Sequence, residues 1–277
     1  SRTCAKLIYL VWEKYSSLRA AKLDEAFSDK TRLVAITQVS NVLGRPTPVE
    51  EIVRRARKSN AVVVLDAAQS SPHMPIDVQK LDVDFLAFSG HKLMGPMGIG
   101  VLYGKKKLLK AMPPFLTGGE MIDSVTRDGA KYAELPHKFE AGTVNAAGAV
   151  GLAAAIDYIN KIGFETMQER ELTLTKRALE GLKAIPKVHV LGSELAEEHT
   201  GILTFTIEDV HPHDVSAVLE SDGVAVRAGH HCAQPLLEYL GVRSATRASL
   251  MFYNTEEEVD ALVKSVAGVR RRMGYGE

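Results

Sequence analysis

The chain has 277 residues, 45% of them hydrophobic and 25% charged, which supports a sizeable core under an ordinary surface. Lys plus Arg and Asp plus Glu both number 34, so no net field recruits nucleic acid or an anionic membrane. The two cysteines, Cys4 and Cys232, lie too far apart to suggest a disulfide framework and suit a reducing compartment, and no apolar run approaches the ~18 residues of a membrane span.

The N-terminal stretch SRTCAKLIYLVWEKYSS has a short apolar patch with no small-residue cleavage site, so it does not read as a signal peptide. From about Leu23 onward strands and helices alternate. RLVAIT (32–37) reads as a strand ending in a polar turn over 38–44. TPVEEIVRRARKSN reads as a helix with Thr47 as cap, Pro48 at its first position and Glu50 completing a capping box. AVVVLD (61–66) is a continuous β-branched run, as expected of a strand buried on both faces. VDFLAFS (83–89) and IGVLYG (99–104) are two more strands, and the alternation predicts an α/β domain with a mainly parallel sheet.

The texture changes from Val144. NAAGAVGLAAAIDYINKIG is an Ala-rich helix, and a second helix is expected over 164–184, the pair reading as a connection between domains. KVHVLG, GILTFTIE, VAVR and RASLMFYN then read as shorter strands, with HPHDVSAVLESDG as a helix among them. A last helix opens at Thr255, with Glu258 as its capping-box partner. This mixture predicts a smaller α+β domain. The boundary falls near Asn160, giving units of 1–160 and 161–277. The basic runs at 105–107 and 270–272 sit beside predicted helices and read as solvated faces.

Three places carry candidate chemistry. Asp66 ends a buried strand, where open α/β sheets bind ligands, although Asp is equally a favoured helix cap. Lys92 follows another strand in the glycine-dense FSGHKLMGPMGIG, between Ser89 and His91 on one side and glycines that let a backbone approach a ligand on the other. A solvated lysine in a surface turn is the alternative. The Asp66 to Lys92 spacing suits one strand–crossover–strand unit, which brings both to one sheet edge. Pyridoxal phosphate needs this pairing: an amine to condense with its aldehyde and a carboxylate to keep its pyridine nitrogen protonated. The third place is RAGHHCAQP (227–235), which sets two histidines against Cys232. Adjacent residues in a short loop rarely all face one ion, and no fourth ligand is evident, so no metal is expected.

SNVLG, LDAAQSSPHMPIDVQKLDVDF, SGHKLMGPMGIG, FEAGT, VAVRAGHHCAQP and TRASLMFYNTEEEVDAL together resemble the SUF-type cysteine desulfurases and selenocysteine lyases. These are class-V aminotransferase-family, fold-type-I pyridoxal-phosphate enzymes that mobilise sulfur for iron–sulfur clusters. The resemblance covers about Leu23 to Val269 and leans towards plastid and bacterial members, which implies a plastid stroma or a bacterial cytoplasm. It implies that Lys92 holds the cofactor and moves the Cα proton, and that Asp66 partners the pyridine nitrogen. Gln69 would lie at the phenolate oxygen, and Ser89 and His91 at the phosphate. Thr143 would reach a phosphate in the partner subunit of a homodimer. Asn41 would lie near the ring and the substrate carboxylate, and Arg247 would fork onto that carboxylate with Arg227 as a second arginine. Cys232 would be the nucleophile that takes the sulfur of L-cysteine, or the selenium of L-selenocysteine, before a sulfur-acceptor protein removes it. Gly229, His230 and Arg227 would keep its thiol reactive.

The pattern also departs from the family. The glycine–threonine–threonine phosphate loop and the ring-stacking histidine of family members do not occur in this chain. Its first 22 or so residues do not resemble the family either, so the resemblance implies a chain lacking about its first third, with a sheet short of strands. Met97, Thr117 and Val144 stand where Thr, Gly and Pro are expected. Two other readings compete with the desulfurase: another pyridoxal-phosphate enzyme of the same fold, such as an aminotransferase or a kynureninase-like hydrolase, and a non-catalytic chain that binds a partner.

Overall fold

The structure, a computed structural model, describes residues 5–10 and 20–276; Cys4 and Trp12 lie outside them. Helix α1 (Ala20–Ala26) precedes the first sheet, whose strands are the apolar runs read above: β1 (Leu33–Thr37), β2 (Val62–Asp66), β3 (Phe85–Ser89) and β4 (Gly100–Gly104). Helices α2 (Val49–Lys58) and α3 (Val78–Leu81) make the crossovers. The order is β1-β2-β3-β4, with β1, β2 and β3 parallel and β4 antiparallel to β3. Asp66 pairs in register with Ala87, so Asp66 and Ser89 leave the sheet at the same edge.

Period-two alternation sends Val34, Val63, Leu65 and Leu86 to one face, where Ile52, Val53 and Ala56 of α2 bury them. The other face carries Leu33, Ala35, Val64, Ala87 and Leu102, and it is open: Leu33 is 61% and Leu102 56% exposed. β2 is therefore fully buried on one face only, not on both, because α2 lies on a single side of the sheet. Thr47 does not cap α2 either. Pro48 is the N-cap, and the Thr47 N–H is drawn into a bond with the Gln38 carbonyl (2.7 Å) as Val39 and Pro46 close a bridge.

Helix α4 (Lys106–Ala111) and the hairpin of β5 (Ile122–Val125) and β6 (Ala130–Tyr132) lead to α5 (Ala146–Ile162), which Asn145 caps by accepting from the Gly148 N–H. Helix α6 (Phe164–Ala184) follows. Then come β7 (Val188–Leu191), β8 (Ile202–Ile207), α7 (Pro212–Ser221), β9 (Arg227–Gly229), α8 (Gln234–Leu240), β10 (Ala245–Ser249) and α9 (Glu256–Arg272). The second sheet runs β7-β8-β10-β9, antiparallel throughout, and packs Leu203, Phe205 and Ala248 against Leu174 and Leu182 of α6, Leu219 of α7 and Leu262 of α9. Strand β9 begins at Arg227, three residues later than VAVR suggests, because Val224 and Val226 pack against this core without pairing. Thr255 and Glu258 form both halves of the α9 capping box. Among the described residues no helix is long and apolar enough to cross a membrane.

Two junctions fix the sheets to each other. Buried His73, beyond the β2 edge, holds Glu171 of α6 at 2.8 Å, and Gln168 donates to the His73 carbonyl. The larger junction is the turn SNVLGR (40–45) after β1. Val42 is buried with Leu191, Leu237, Leu240 and Ala245. The Thr204 hydroxyl donates to the Val42 carbonyl (2.5 Å), the Thr200 hydroxyl donates to the Gly44 carbonyl (3.0 Å), and Arg45 pairs with Glu198.

Gly44 has a left-handed backbone (φ +67°), and a Cβ there would lie 2.9 Å from the Ile202 carbonyl oxygen of β8. A left-handed alanine costs about 1–2 kcal/mol before any clash. Gly44→Ala is expected to lower stability by about 2 kcal/mol or more, read as a lower urea midpoint. An unchanged midpoint contradicts the tight docking of this turn.

Candidate active site

The SGHK sequence leaves β3 and tightens into a 3₁₀ turn, Gly90–Leu93, closed by Met94 in the left-handed region. Two of its glycines are held by packing: a Cβ on Gly90 would lie 2.7 Å from Ile99, and one on Gly95 would lie 3.1 Å from Leu152 of α5. Leu93 is buried in the same contact with Leu152. The turn is thus pinned by α5, and Lys92 comes off it half-buried, its amine 3.4 Å from the Gln69 amide oxygen.

Asp66 ends β2 with its carboxylate exposed, one oxygen accepting from the Ala68 N–H (2.9 Å). This closes a local turn, and no helix follows for Asp66 to cap. The segment is held from behind. The Gln38 N–H donates to the Asp66 carbonyl (2.9 Å), and the Ser70 hydroxyl donates to the Gln38 side-chain oxygen (2.8 Å), both side chains being buried. Gln38 and Ser70 escaped the sequence reading, in which both look like ordinary turn residues.

The second sheet contributes two arginines. Arg227 of β9 and Arg247 of β10 are register partners on antiparallel strands, so their side chains stand on the same face. Like charges placed directly opposite destabilise a strand pair. Burial, with Arg227 beside it, holds the Arg247 guanidinium below its ordinary pKa, and the Cys232 charge opposes this. Arg247 spends Nε on the Ser249 hydroxyl (3.1 Å) and a terminal nitrogen on the Asn41 carbonyl (2.9 Å).

Cys232 is exposed and sits in the loop between β9 and α8. His231 and Cys232 are consecutive left-handed residues (φ +52° and +57°). Each such non-glycine residue costs about 1–3 kcal/mol and persists only where its surroundings over-determine it. Here the His231 ring is buried and donates from Nε2 to the Ala245 carbonyl (2.9 Å), and the Asn41 amide donates to the His231 carbonyl (2.6 Å). Burial keeps the His231 imidazole below its ordinary pKa, against the pull of the Ala245 bond, with Arg247 and Arg227 adding to the depression. His231 is therefore a buried strut between the thiol loop and β10.

Lys92 senses both sheets. Burial lowers its amine pKa, Asp66 and Cys232 hold it up, and Arg247 and Arg227 press it down, for a net depression. The structure thus brings together Lys92, Gln69, Asp66, Arg227, Arg247 and Cys232, with Asn41 bonded to Arg247 and to His231, the residue before the thiol. Ser89 (half-buried) and His91 (exposed) belong to the lysine turn by chain connection. Thr143 is exposed on the loop before α5, and among the described residues no hydrogen bond or ion pair joins it to the group. No three His, Cys, Asp or Glu side chains among the described residues are grouped to hold a metal ion. The set suits pyridoxal phosphate: the amine gives up its proton easily, and a carboxylate leaves the same sheet edge.

The Aminotransferase class-V family profile matches residues 1–262. A probable cysteine desulfurase of Streptomyces coelicolor is 48% identical over 273 residues, covering 99% of this chain and 65% of the relative. The apo cysteine desulfurase structure from Thermococcus onnurineus NA1 superposes with a TM-score of 0.90 at 41% identity, over 96% of this chain and 66% of that one. The cysteine desulfurase CsdA of Escherichia coli, in its S-sulfonic acid form, gives 0.87 at 40%, over 92% and 63%. The chain therefore spans just under two thirds of the length of the curated relative named. The match from residue 1 overturns the expectation that the first 22 residues stand apart; they carry no motif that would have revealed it.

The neutral amine is the form of a lysine that reacts. Competitive labelling of Lys92 across pH is expected to show a midpoint below that of an ordinary lysine. Asp66→Asn removes a charge that raises the pKa and lowers the midpoint further, and Arg227→Gln raises it. Opposite shifts in these variants contradict the meeting of these groups.

Proposed function

The chain belongs to the class-V aminotransferase family, with the fold of the fold-type-I pyridoxal-phosphate enzymes, and on that premise we propose that it is a cysteine desulfurase of the SUF type. It converts L-cysteine to L-alanine and leaves the sulfur as a persulfide on Cys232. The observation that carries this reading is the meeting of Lys92 and Asp66 from one sheet with Arg227, Arg247 and a free thiol from the other. Relatives named cysteine desulfurase support it.

Lys92, Asp66, Gln69, Ser89 and His91 would hold the cofactor, with Asn41 near its ring. When bound, the cofactor supplies an aldehyde carbon that links amines and a protonated ring that draws electrons from the substrate Cα. Arg247 and Arg227 take the substrate carboxylate, which relieves their mutual repulsion. Lys92 Nζ, readily neutral, takes the Cα proton. The Cys232 sulfur attacks the substrate sulfur: the S–S bond forms, the substrate Cβ–S bond breaks, and Cβ gains a proton to give alanine. Atoms balance as L-cysteine plus thiol giving L-alanine plus persulfide. L-Selenocysteine fits the same steps.

The same reading includes a division into a cofactor domain (1–160) and a smaller domain carrying the thiol loop (161–277). It also includes a homodimer in which Thr143 reaches the partner's phosphate, transfer of sulfur to an acceptor protein of the SUF system for iron–sulfur cluster assembly, and a bacterial cytoplasm or plastid stroma as the compartment.

Incubated with pyridoxal phosphate, the chain is expected to carry a borohydride-fixed pyridoxyl group on Lys92 and to release alanine from L-cysteine. Cys232→Ser and Lys92→Ala are each expected to lower turnover by about 10³-fold or more. Full turnover of its natural substrate by Cys232→Ser favours another class-V chemistry. Absence of both pyridoxyl group and turnover favours a chain that binds and does not catalyse.

A further inference from the structure

We infer that Asn41 is a positioning residue that fixes the reach between a carboxylate held at Arg247 and the Cys232 thiol, and so selects substrates by the number of bonds between carboxylate and sulfur. The inference rests on the reading of Arg247 as the carboxylate's partner. It adds a residue whose effect is on length discrimination.

Asn41 makes two bonds that no other residue combines among those described. Its backbone carbonyl accepts from the Arg247 guanidinium (2.9 Å), and its side-chain amide donates to the His231 carbonyl (2.6 Å), one residue before the thiol. The guanidinium plane is fixed on its other side by Ser249. The loop is fixed on its other side by the bond from His231 to Ala245, two residues before Arg247 on β10. The carboxylate site and the thiol are therefore spaced through one short closed circuit: Arg247, Asn41, His231, Ala245 and back along β10.

The circuit has something to restrain. His231 and Cys232 are both left-handed, a conformation that relaxes once its restraints are removed. Asn41 itself does not move freely. The Ser40 hydroxyl accepts from the Val42 and Leu43 N–H groups, and Val42 is clamped by Thr204. A rigid turn from the first sheet thus sets a distance within the second. In L-cysteine the sulfur is three bonds from the carboxyl carbon, and a four-carbon homologue places it one bond further away. Fixed spacing admits one and misaligns the other, and near-attack alignment of this kind is where small displacements cost most.

Alkyl methanethiosulfonates test this without cofactor or turnover. The Cys232 thiolate attacks the reagent's sulfenyl sulfur, a disulfide forms and methanesulfinate leaves. The 2-carboxyethyl reagent has the carboxylate-to-sulfur spacing of L-cysteine, the 3-carboxypropyl reagent is one carbon longer, and the propyl reagent has no carboxylate. Rates at Cys232 are read by peptide mass spectrometry and normalised to free cysteine. The intact chain is expected to favour the 2-carboxyethyl reagent about tenfold over propyl and about fivefold over 3-carboxypropyl. In Asn41→Ser, which suits a turn but is too short to reach His231, the ratio of the 2-carboxyethyl to the 3-carboxypropyl rate is expected to fall towards one. A merely structural role would change all three rates together and leave the ratios intact.

Absence of a length preference in the unaltered chain overturns the inference, and so does its survival in Asn41→Ser. Arg247→Gln separates the two levels. If it keeps the carboxylate preference, the reading of Arg247 fails and the inference with it. If it loses that preference while Asn41→Ser keeps the length preference, only the role of Asn41 fails.

Discussion

The turn at residues 40–45 is clamped from both sides, and the placement of Arg247 and the thiol loop against the first sheet depends on it. On the first-sheet side it grows directly from β1, and its base is tied to β2 through the Gln38 N–H on the Asp66 carbonyl. On the second-sheet side it accepts from Thr204, Thr200 and Arg247, donates to His231 and pairs with Glu198. Hydrogen bonds of this kind are individually worth about 1 kcal/mol net, so their value lies in their number and in their burial with Val42. The carboxyl edge of a parallel sheet and the face of an antiparallel sheet are thereby held in one relative position.

That position creates an electrostatic imbalance. Lys92, Arg227 and Arg247 act on one another, with Asp66 the carboxylate that acts on Lys92. The imbalance has two chemical consequences. Lys92 sheds its proton more readily than an ordinary lysine, which suits an amine that has to act as nucleophile and base. The cross-strand arginines repel until an anion arrives, so carboxylate capture is favoured by relief as well as by attraction. The thiol stands beside these charges on a loop whose left-handed residues are held by tethers from both sheets.

The strands β1 to β4, β7 and β8 were legible as short apolar runs, β9 and β10 are displaced from VAVR and RASLMFYN, and α9 was legible because Thr255 and Glu258 spell out a capping box. Thr47 misled because the same local signature was overruled by a longer-range bridge, Val39 to Pro46. The shared edge of Asp66 and Lys92 followed from spacing. Glycine spacing around Lys92 was visible, but its purpose was not, since Leu152 lies far away in sequence. The pairing of Arg227 with Arg247 depends on a strand register that no local pattern encodes. The same holds for the role of His231, whose ring looked like a possible ligand beside Cys232 and is instead buried against Ala245. Asn41 came forward through a family motif, and its two bonds across the sheets emerged only from the fold.

The central claim is that groups from two sheets meet at one site, and a short amine-to-thiol cross-linker tests it most directly. Applied to the chain and read by peptide mapping, it is expected to yield a Lys92–Cys232 bridge as the main product at Cys232. Cross-links from Cys232 to other lysines, with none to Lys92, would contradict the joined site.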